Sequence, residues 1–174
     1  MNKMSKISSG LFWGTIGTRK IRLIPGRPGK VTGGNSQKLG KNLMQSMGVG
    51  RKTKWTGYQA QHIIPVKVRN HPILKKVGFD LDSVSNGIFL RVPSNSVSSL
   101  ARHQGNHAPY NDFVEKKLNQ LNINDSTNSL QKELKSLQST LRKMLQSGVT
   151  IYKKDGASVE SLERAYNRYN ERRN

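Results

Sequence analysis

The stretch Ala60-Gln61-His62-Ile63-Ile64-Pro65 decides how the rest of the chain is interpreted. Its β-branched and apolar content, bounded by a proline, predicts a strand over residues 58–66. His62 falls near the end of that strand, where a side chain can be held rigidly over a cleft. Because the unperturbed pKa of histidine suits proton transfer near neutrality, His62 is a candidate general base. An isolated histidine in a β-strand is, however, more often a packed or surface residue.

A second stretch further along the chain carries His103, His107 and Asn111, which are spaced by four residues. A helix that begins near Asn106, with Pro109 in its first turn, places His107 and Asn111 on one face. An imidazole and an amide oxygen that leave coordination positions open suit a catalytic divalent ion better than a closed structural site. The alternative is that both histidines are loop residues and Asn111 forms a turn.

The positive charge of the chain is its strongest global feature. The net charge is +20, from 30 Lys and Arg against 10 Asp and Glu, and no acidic residue precedes Asp80. Such a field attracts polyanions and speeds encounter with them. Nucleic acid is therefore the first expected partner, an anionic membrane the second and an acidic protein inhibitor the third. A merely soluble basic protein is the remaining interpretation.

The composition excludes some classes of protein. The chain has no cysteine, which rules out disulfides and cysteine-ligated zinc or iron–sulfur sites. No apolar run approaches membrane-spanning length, and the helix faces are too weakly apolar to favour membrane disruption, so we expect no stable membrane association. The first residues lack the pattern of a secretory signal peptide, and none is expected.

Outside these two stretches the sequence predicts mostly helices. Helices are predicted over residues 37–47, 73–77, 107–121, 128–146 and 158–172, and strands over 18–24, 87–92 and 150–152. Ser36 is the expected N-cap of the first helix, which carries Leu39, Leu43 and Met47 on one face. Asn128 is the expected cap of the 128–146 helix.

The helix over residues 128–146 has the clearest pattern in the chain. Apolar residues recur at spacings of four and three, namely Leu130, Leu134, Leu137, Leu141 and Met144. The same spacing fits a short coiled coil, but two heptads are few, so packing on a core is favoured. The last helix presents Arg164 and Arg168 on one face, which suits either phosphate contact or a solvated face paired with glutamates.

The combined motifs resemble the AHH branch of the HNH (His-Me finger) nucleases, a branch known mainly as C-terminal toxin domains of bacterial polymorphic toxins. The matching residues are the Ala60–Pro65 motif, Asn86-Gly87-Ile88 with Leu90, and His103-x-Gly105-x-His107-x-x-Tyr110-Asn111. The resemblance covers about residues 33–121. It implies an α+β fold, in which a small ββα-metal core is surrounded by additional α-helices.

The resemblance also implies roles for individual residues. His62 would be the general base that activates water, and Asn86 would brace the loop between the strands and help to orient His62. His103, His107 and Asn111 would be metal ligands on the helix side.

The family often has a second histidine directly before the base, as a further metal ligand. This chain has Gln61 there, and a glutamine oxygen binds an ion more weakly than an imidazole. Mg²⁺ is the first expected ion, because magnesium-like ions fit oxygen-rich sites. Zn²⁺ or Ni²⁺, which would favour the histidines, and Mn²⁺ are the alternatives.

The implied domain organisation has three parts. Residues 1–34 form a basic arm or linker rich in glycine and serine, residues 35–125 form the ββα-metal nuclease core, and residues 126–174 form C-terminal helices packed on it. The residues expected to contact nucleic acid are Lys52, Lys54, Arg102, Arg164 and Arg168.

The resemblance further implies a function. The chain is expected to be a metal-dependent endonuclease, a non-specific DNase, that acts as an antibacterial toxin and is delivered into a target cell as part of a larger secreted protein. A cognate immunity protein, acidic because of the charge of this chain, is the expected partner besides DNA. The alternatives are an RNase toxin and a non-enzymatic nucleic-acid-binding module with structural histidines.

Overall fold

The computed structural model describes residues 28–92 and 107–171, together with the backbone of three strands before residue 28. These strands are β1 (Ser5–Ser8), β2 (Leu11–Ile16) and β3 (Arg19–Ile24), and they form an antiparallel sheet in that order. The sequence predicts only the third of them. The boundary at residue 34 stays a prediction.

The centre of the fold is a ββα unit. Strand β4 (Tyr58–His62) pairs antiparallel with β5 (Gly87–Arg91), so that His62 lies opposite Gly87. The helix of the unit is α3 (Ala108–Asn119). The other described helices are α1 (Ser36–Ser46), α2 (Pro72–Val77), α4 (Thr127–Gln146) and α5 (Val159–Glu171). The predicted α+β class is confirmed. None of the described helices has the length and apolar character needed to cross a membrane.

Strand β4 ends at His62, four residues before the predicted end. The Ile63 N–H still bonds to the backbone oxygen of Asn86, but the Ile64 N–H bonds to the Asn86 side chain instead of to a strand. Pro65 has no N–H to donate, and a 3₁₀ turn follows it. The pairing therefore stops directly after His62.

The large core lies beneath α2, α3, α4 and α5. The five periodic apolar residues of α4 are all buried in it, in one cluster with Ile63 and Ile64. The apolar face of α4 therefore packs on the core, as its pattern favours. A smaller cluster joins Leu39 and Leu43 of α1 to Ala60 of β4.

Two details of α1 follow from this packing. A Cβ at Gly87 would lie 2.6 Å from Leu39 Cδ1, so the glycine allows α1 to approach β5 closely. Met47, predicted to share a helix face with Leu39 and Leu43, lies just past the end of the helix and is 61% exposed.

Helix starts and one strand differ from the prediction. The observed N-caps are Asn35, His107 and Ser126, in place of the predicted Ser36, Asn106 and Asn128. Several Ser and Asn residues stand near the starts of α1 and α4, and the local pattern does not decide which one turns its side chain to the free N–H groups. At the start of α3 the side chain of His107 makes no capping hydrogen bond. Residues 150–152 form no strand and lead into a 3₁₀ turn at Lys153–Asp155.

Candidate active site

His62 is buried at the end of β4 and is bound to a carboxylate. Its Nε2 atom lies 3.0 Å from Asp82 Oδ1, and the two side chains are 8% and 2% exposed. Asp82 Oδ1 also accepts the backbone N–H groups of Gly34 at 2.7 Å and Asn35 at 2.9 Å. An oxygen that accepts these bonds accepts from His62 as well, so Nε2 carries the hydrogen. The Nδ1 lone pair of His62 is then available, and no described residue hydrogen bonds to it.

The chain turns tightly around this carboxylate at two glycines. Gly33 has φ +78°, and a Cβ on it would lie 2.7 Å from the Asp82 backbone nitrogen. Only glycine adopts this conformation readily, and only glycine leaves the space. The second oxygen, Asp82 Oδ2, is buried and accepts no hydrogen bond from the described residues. The negative charge therefore has His62 and two backbone amides as its partners.

Asp82 is the site residue that sequence reasoning missed. It is separated from His62 by 20 residues and lies in a loop, so no periodic spacing connects them. The one signal was that Asp80 and Asp82 are the first acidic residues of a strongly basic chain and fall between the two histidine stretches.

Asn86 is fully buried and braces the chain on the far side of His62. Its Oδ1 atom accepts from the Ile64 N–H at 2.8 Å and from Gln138 Nε2 at 3.1 Å. Its Nδ2 atom donates to the carbonyl oxygens of Ile64 at 3.1 Å and Leu81 at 3.0 Å. Asn86 therefore acts on His62 through the backbone that follows it rather than by direct contact.

His107 is placed between Gln61 and Asn111. Its Nε2 atom lies 3.0 Å from Gln61 Nε2, and its Nδ1 atom lies 3.0 Å from Asn111 Oδ1. The amide oxygen of Asn111 accepts, so Nδ1 carries the hydrogen and Nε2 presents its lone pair toward Gln61. Burial lowers the pKa of His107, which favours the neutral ring that can bind a metal ion.

Two tyrosines hold His107 against the end of β4. The His107 ring meets those of Tyr110 and Tyr152 edge to face, at centroid distances of 5.7 and 5.8 Å. The Tyr110 hydroxyl donates to the Ile63 carbonyl at 2.6 Å, and burial raises the pKa of Tyr110, so the hydroxyl remains a donor. Helix α3 is therefore fixed to the residue that follows His62.

His107 supplies one ligand atom for a divalent-ion site, the Nε2 lone pair of its neutral imidazole. The Gln61 atom that faces this lone pair is the amide nitrogen, which donates to it and to the His62 carbonyl, so Gln61 could ligate an ion only with its amide turned to bring the oxygen toward His107. Asn111 Oδ1 binds the other ring nitrogen, as partners that orient a metal-binding imidazole do. Within residues 28–92 and 107–171, no three His, Cys, Asp or Glu side chains cluster as a metal site. His103, the third predicted ligand, lies outside the described residues.

The two halves of the site are joined by neighbouring residues of one strand. Side chains of consecutive strand residues point to opposite faces, so Gln61 reaches toward α3 while His62 reaches toward the start of α1. The end of β4 can thus hold a base on one side and an ion on the other.

The predicted nucleic-acid contacts are spread over the surface. Lys52 and Lys54 are exposed in the segment between α1 and β4, and Arg164 and Arg168 are exposed on α5. Arg102 lies outside the described residues. His71, the remaining histidine, caps α2 and contacts Asn119, so it belongs to neither half of the site.

A comparison with protein families agrees with this geometry. Residues 42–144 match the AHH family model, described as a nuclease family of the HNH/endonuclease VII superfamily with a conserved Ala-His-His motif. The match spans more than half of the chain and includes β4, β5 and α3. No curated protein and no solved structure matches the chain significantly.

The chain therefore belongs to the AHH nucleases, and it is a nuclease. It departs from the conserved motif at Gln61, which stands between Ala60 and His62.

Proposed function

We propose that this nuclease is a metal-dependent endonuclease that hydrolyses DNA without sequence preference and serves as an antibacterial toxin domain. The observation that supports the catalytic role is the His62 ring, which is bound by a buried carboxylate and follows directly in β4 on Gln61, the residue that contacts His107. A base and an ion-binding imidazole at one strand end are what phosphodiester hydrolysis requires.

In the proposed mechanism, His62 Nδ1 takes a proton from the attacking water. The resulting imidazolium is stabilised by Asp82, whose negative charge lies 3.0 Å from Nε2. His107 and Gln61 would hold the divalent ion, with Asn111 orienting the imidazole and His103 as the further ligand. When bound, a divalent ion such as Mg²⁺ offsets the charge that develops on the phosphate and on the departing oxygen.

The toxin role rests on the family resemblance and on charge. A net charge of +20 supports binding to any nucleic-acid backbone, because phosphate contacts carry no sequence information. The same charge supports inhibition by an acidic immunity protein. We propose delivery into a target cell as part of a larger secreted protein.

The first test is a metal series on two substrates. Supercoiled plasmid DNA and a structured RNA are each incubated with Mg²⁺, Mn²⁺, Zn²⁺, Ni²⁺ or EDTA, and the products are separated on gels. We expect loss of supercoiled plasmid with a divalent ion and none with EDTA. Cleavage of RNA alone, undiminished by EDTA, would instead indicate an RNase that uses the 2′-hydroxyl.

Replacing Asp82 tests how His62 is held. Asp82→Asn keeps an oxygen that accepts from Gly34 and Asn35 but removes the charge that faces His62. We expect kcat for plasmid cleavage to fall by about 10–100-fold with little change in KM. The matched control is Glu115→Gln, which removes the same charge from an exposed position of α3. Equal kcat values for the two variants would exclude a role of Asp82 in catalysis.

Replacing Gln61 tests the metal site. Gln61→His supplies an imidazole where the amide now meets His107, so we expect about tenfold or tighter Zn²⁺ and Ni²⁺ binding by calorimetry. Gln59→His, on the same face of β4 but two residues away, is the control and should bind as the unmodified chain does. Indistinguishable affinities for Gln61→His and Gln59→His would remove Gln61 from the ligand set.

A further inference from the structure

An open pocket of about 640 Å³ lies at the opposite end of β4 from His62. Its volume is within the about 300–1,000 Å³ of small-molecule sites. The lining contains two aromatic rings and four cations, and no carboxylate: Trp55, Tyr58, Lys41, Arg51, Lys52 and Lys54. A pocket of this size and composition suits an anionic ligand with a flat ring.

Trp55 forms a fixed aromatic wall. Its ring centroid lies 5.6 Å from that of Phe89, and a Cβ at Gly40 would lie 2.6 Å from the indole. The glycine therefore lets α1 pack directly on the tryptophan. A half-buried ring held between α1 and β5 loses little conformational entropy when a second ring stacks on it.

The cations of the pocket are not neutralised by carboxylates of the described residues, and one of them, Arg51, is held in place by hydrogen bonds. Arg51 Nη1 donates to Asn42 Oδ1 at 2.8 Å and to Gln45 Oε1 at 2.9 Å, and both acceptors are uncharged amides. Lys52 and Lys54 are exposed. None of the four cations pairs with a carboxylate of the described residues. Their charge is therefore available to phosphate groups.

We propose that this pocket binds an unpaired nucleobase stacked on Trp55, while the surrounding cations hold the phosphates on either side of it. Stacking on an aromatic face accepts every base, so the contact adds affinity without sequence preference. The inference rests on the proposed function and restricts its substrate. The nucleic acid would carry a single-stranded or unstacked segment near the scissile phosphate.

The pocket lies within reach of the catalytic residue. Tyr58 and His62 share one face of β4 and are four residues apart, or about 13 Å at 3.3 Å per residue. Helix α1 packs on Ala60 between them, and its exposed side carries Lys38 and Lys41. The α1 sequence contains no acidic residue. A nucleic-acid strand that crosses α1 from the pocket to His62 thus meets no opposing charge.

The test measures binding without cleavage. The His62→Ala chain, without metal, is added to fluorescein-labelled 12-nucleotide single strands that are either intact or abasic at every position. Binding is followed by the fluorescence anisotropy of the strand. We expect Trp55→Leu, which keeps an apolar side chain against Phe89, to weaken binding of the intact strand about tenfold and of the abasic strand hardly at all. Equal loss for both strands, or no loss, would overturn the proposal.

Two further experiments do not require that the Trp55→Leu variant folds normally. In the first, Lys52→Gln/Lys54→Gln is compared with Lys132→Gln/Lys153→Gln, four exposed lysines of which only the first pair lines the pocket. We expect the first pair to weaken binding more at equal salt. In the second, Trp13→Phe leaves Trp55 as the only tryptophan, whose fluorescence should be quenched by the intact strand and not by the abasic one.

The outcomes separate this inference from the proposed function. Because the binding tests use a chain without His62 and without metal, failure of the catalytic mechanism does not affect them. Equal quenching by intact and abasic strands, or quenching by an acidic protein but by neither strand, would contradict the nucleobase site and leave the nuclease assignment intact.

Discussion

Replacing His62 by alanine is expected to lower kcat for plasmid cleavage by about 10²–10⁴-fold, the range that general acid–base catalysis contributes. The variant loses the imidazole that would take a proton from water. Among the described residues at the end of β4, His62 is the one histidine held by a carboxylate. The affinity for DNA should change little, because phosphate contacts from surface cations supply it. Single-turnover cleavage at saturating protein, beside an anisotropy measurement of DNA binding, separates the two quantities.

The matched control is His71→Asn. His71 caps α2 through its side chain, and asparagine preserves a cap while removing the imidazole. This variant should cleave at the unmodified rate. If His62→Ala retained full activity in a preparation in which His71→Asn is also active, His62 would not be the base.

Replacing Asn86 by alanine is expected to lower the free energy of unfolding by about 3–5 kcal/mol. Asn86 is fully buried, and its amide makes four hydrogen bonds. Alanine would leave the N–H and C=O of Ile64, the C=O of Leu81 and the amide of Gln138 without this partner. Each buried polar group left unsatisfied costs about 1–3 kcal/mol, and structural relaxation recovers part of the total.

Urea unfolding followed by circular dichroism measures this loss. The control is Asn128→Ala, an exposed asparagine near the start of α4 that does not cap the helix, and it should change stability by less than about 0.5 kcal/mol. A loss below about 1 kcal/mol for Asn86→Ala would mean that water replaces the amide. Asn86 would then not be the brace described above.

The sequence predicts the helical part of the fold well for a physical reason. Burial of one helix face imposes a spacing of three and four, and α4 shows that spacing over its whole length. The end of β4 is less predictable, since it depends on which partner accepts the Ile64 N–H. That partner is the Asn86 side chain, 22 residues away.

In the candidate site, too, some contacts follow from sequence spacing and others only from tertiary packing. The His107–Asn111 contact follows from helical spacing and holds although the helix begins one residue later than predicted. The placement of Gln61 beside His107 came from the resemblance alone. The His62–Asp82 pair and the aromatic pocket follow from neither, because tertiary packing joins segments that have no regular separation in sequence.

Gln138 connects helix α4 to the end of β4. It lies on α4, yet its amide bonds to Asn86, which in turn holds the backbone after His62. The leucines of α4 also share one core with Ile63 and Ile64. The end of β4 and α4 are thus connected through one buried network. Loosening of α4 from the core would therefore also loosen the backbone that positions His62.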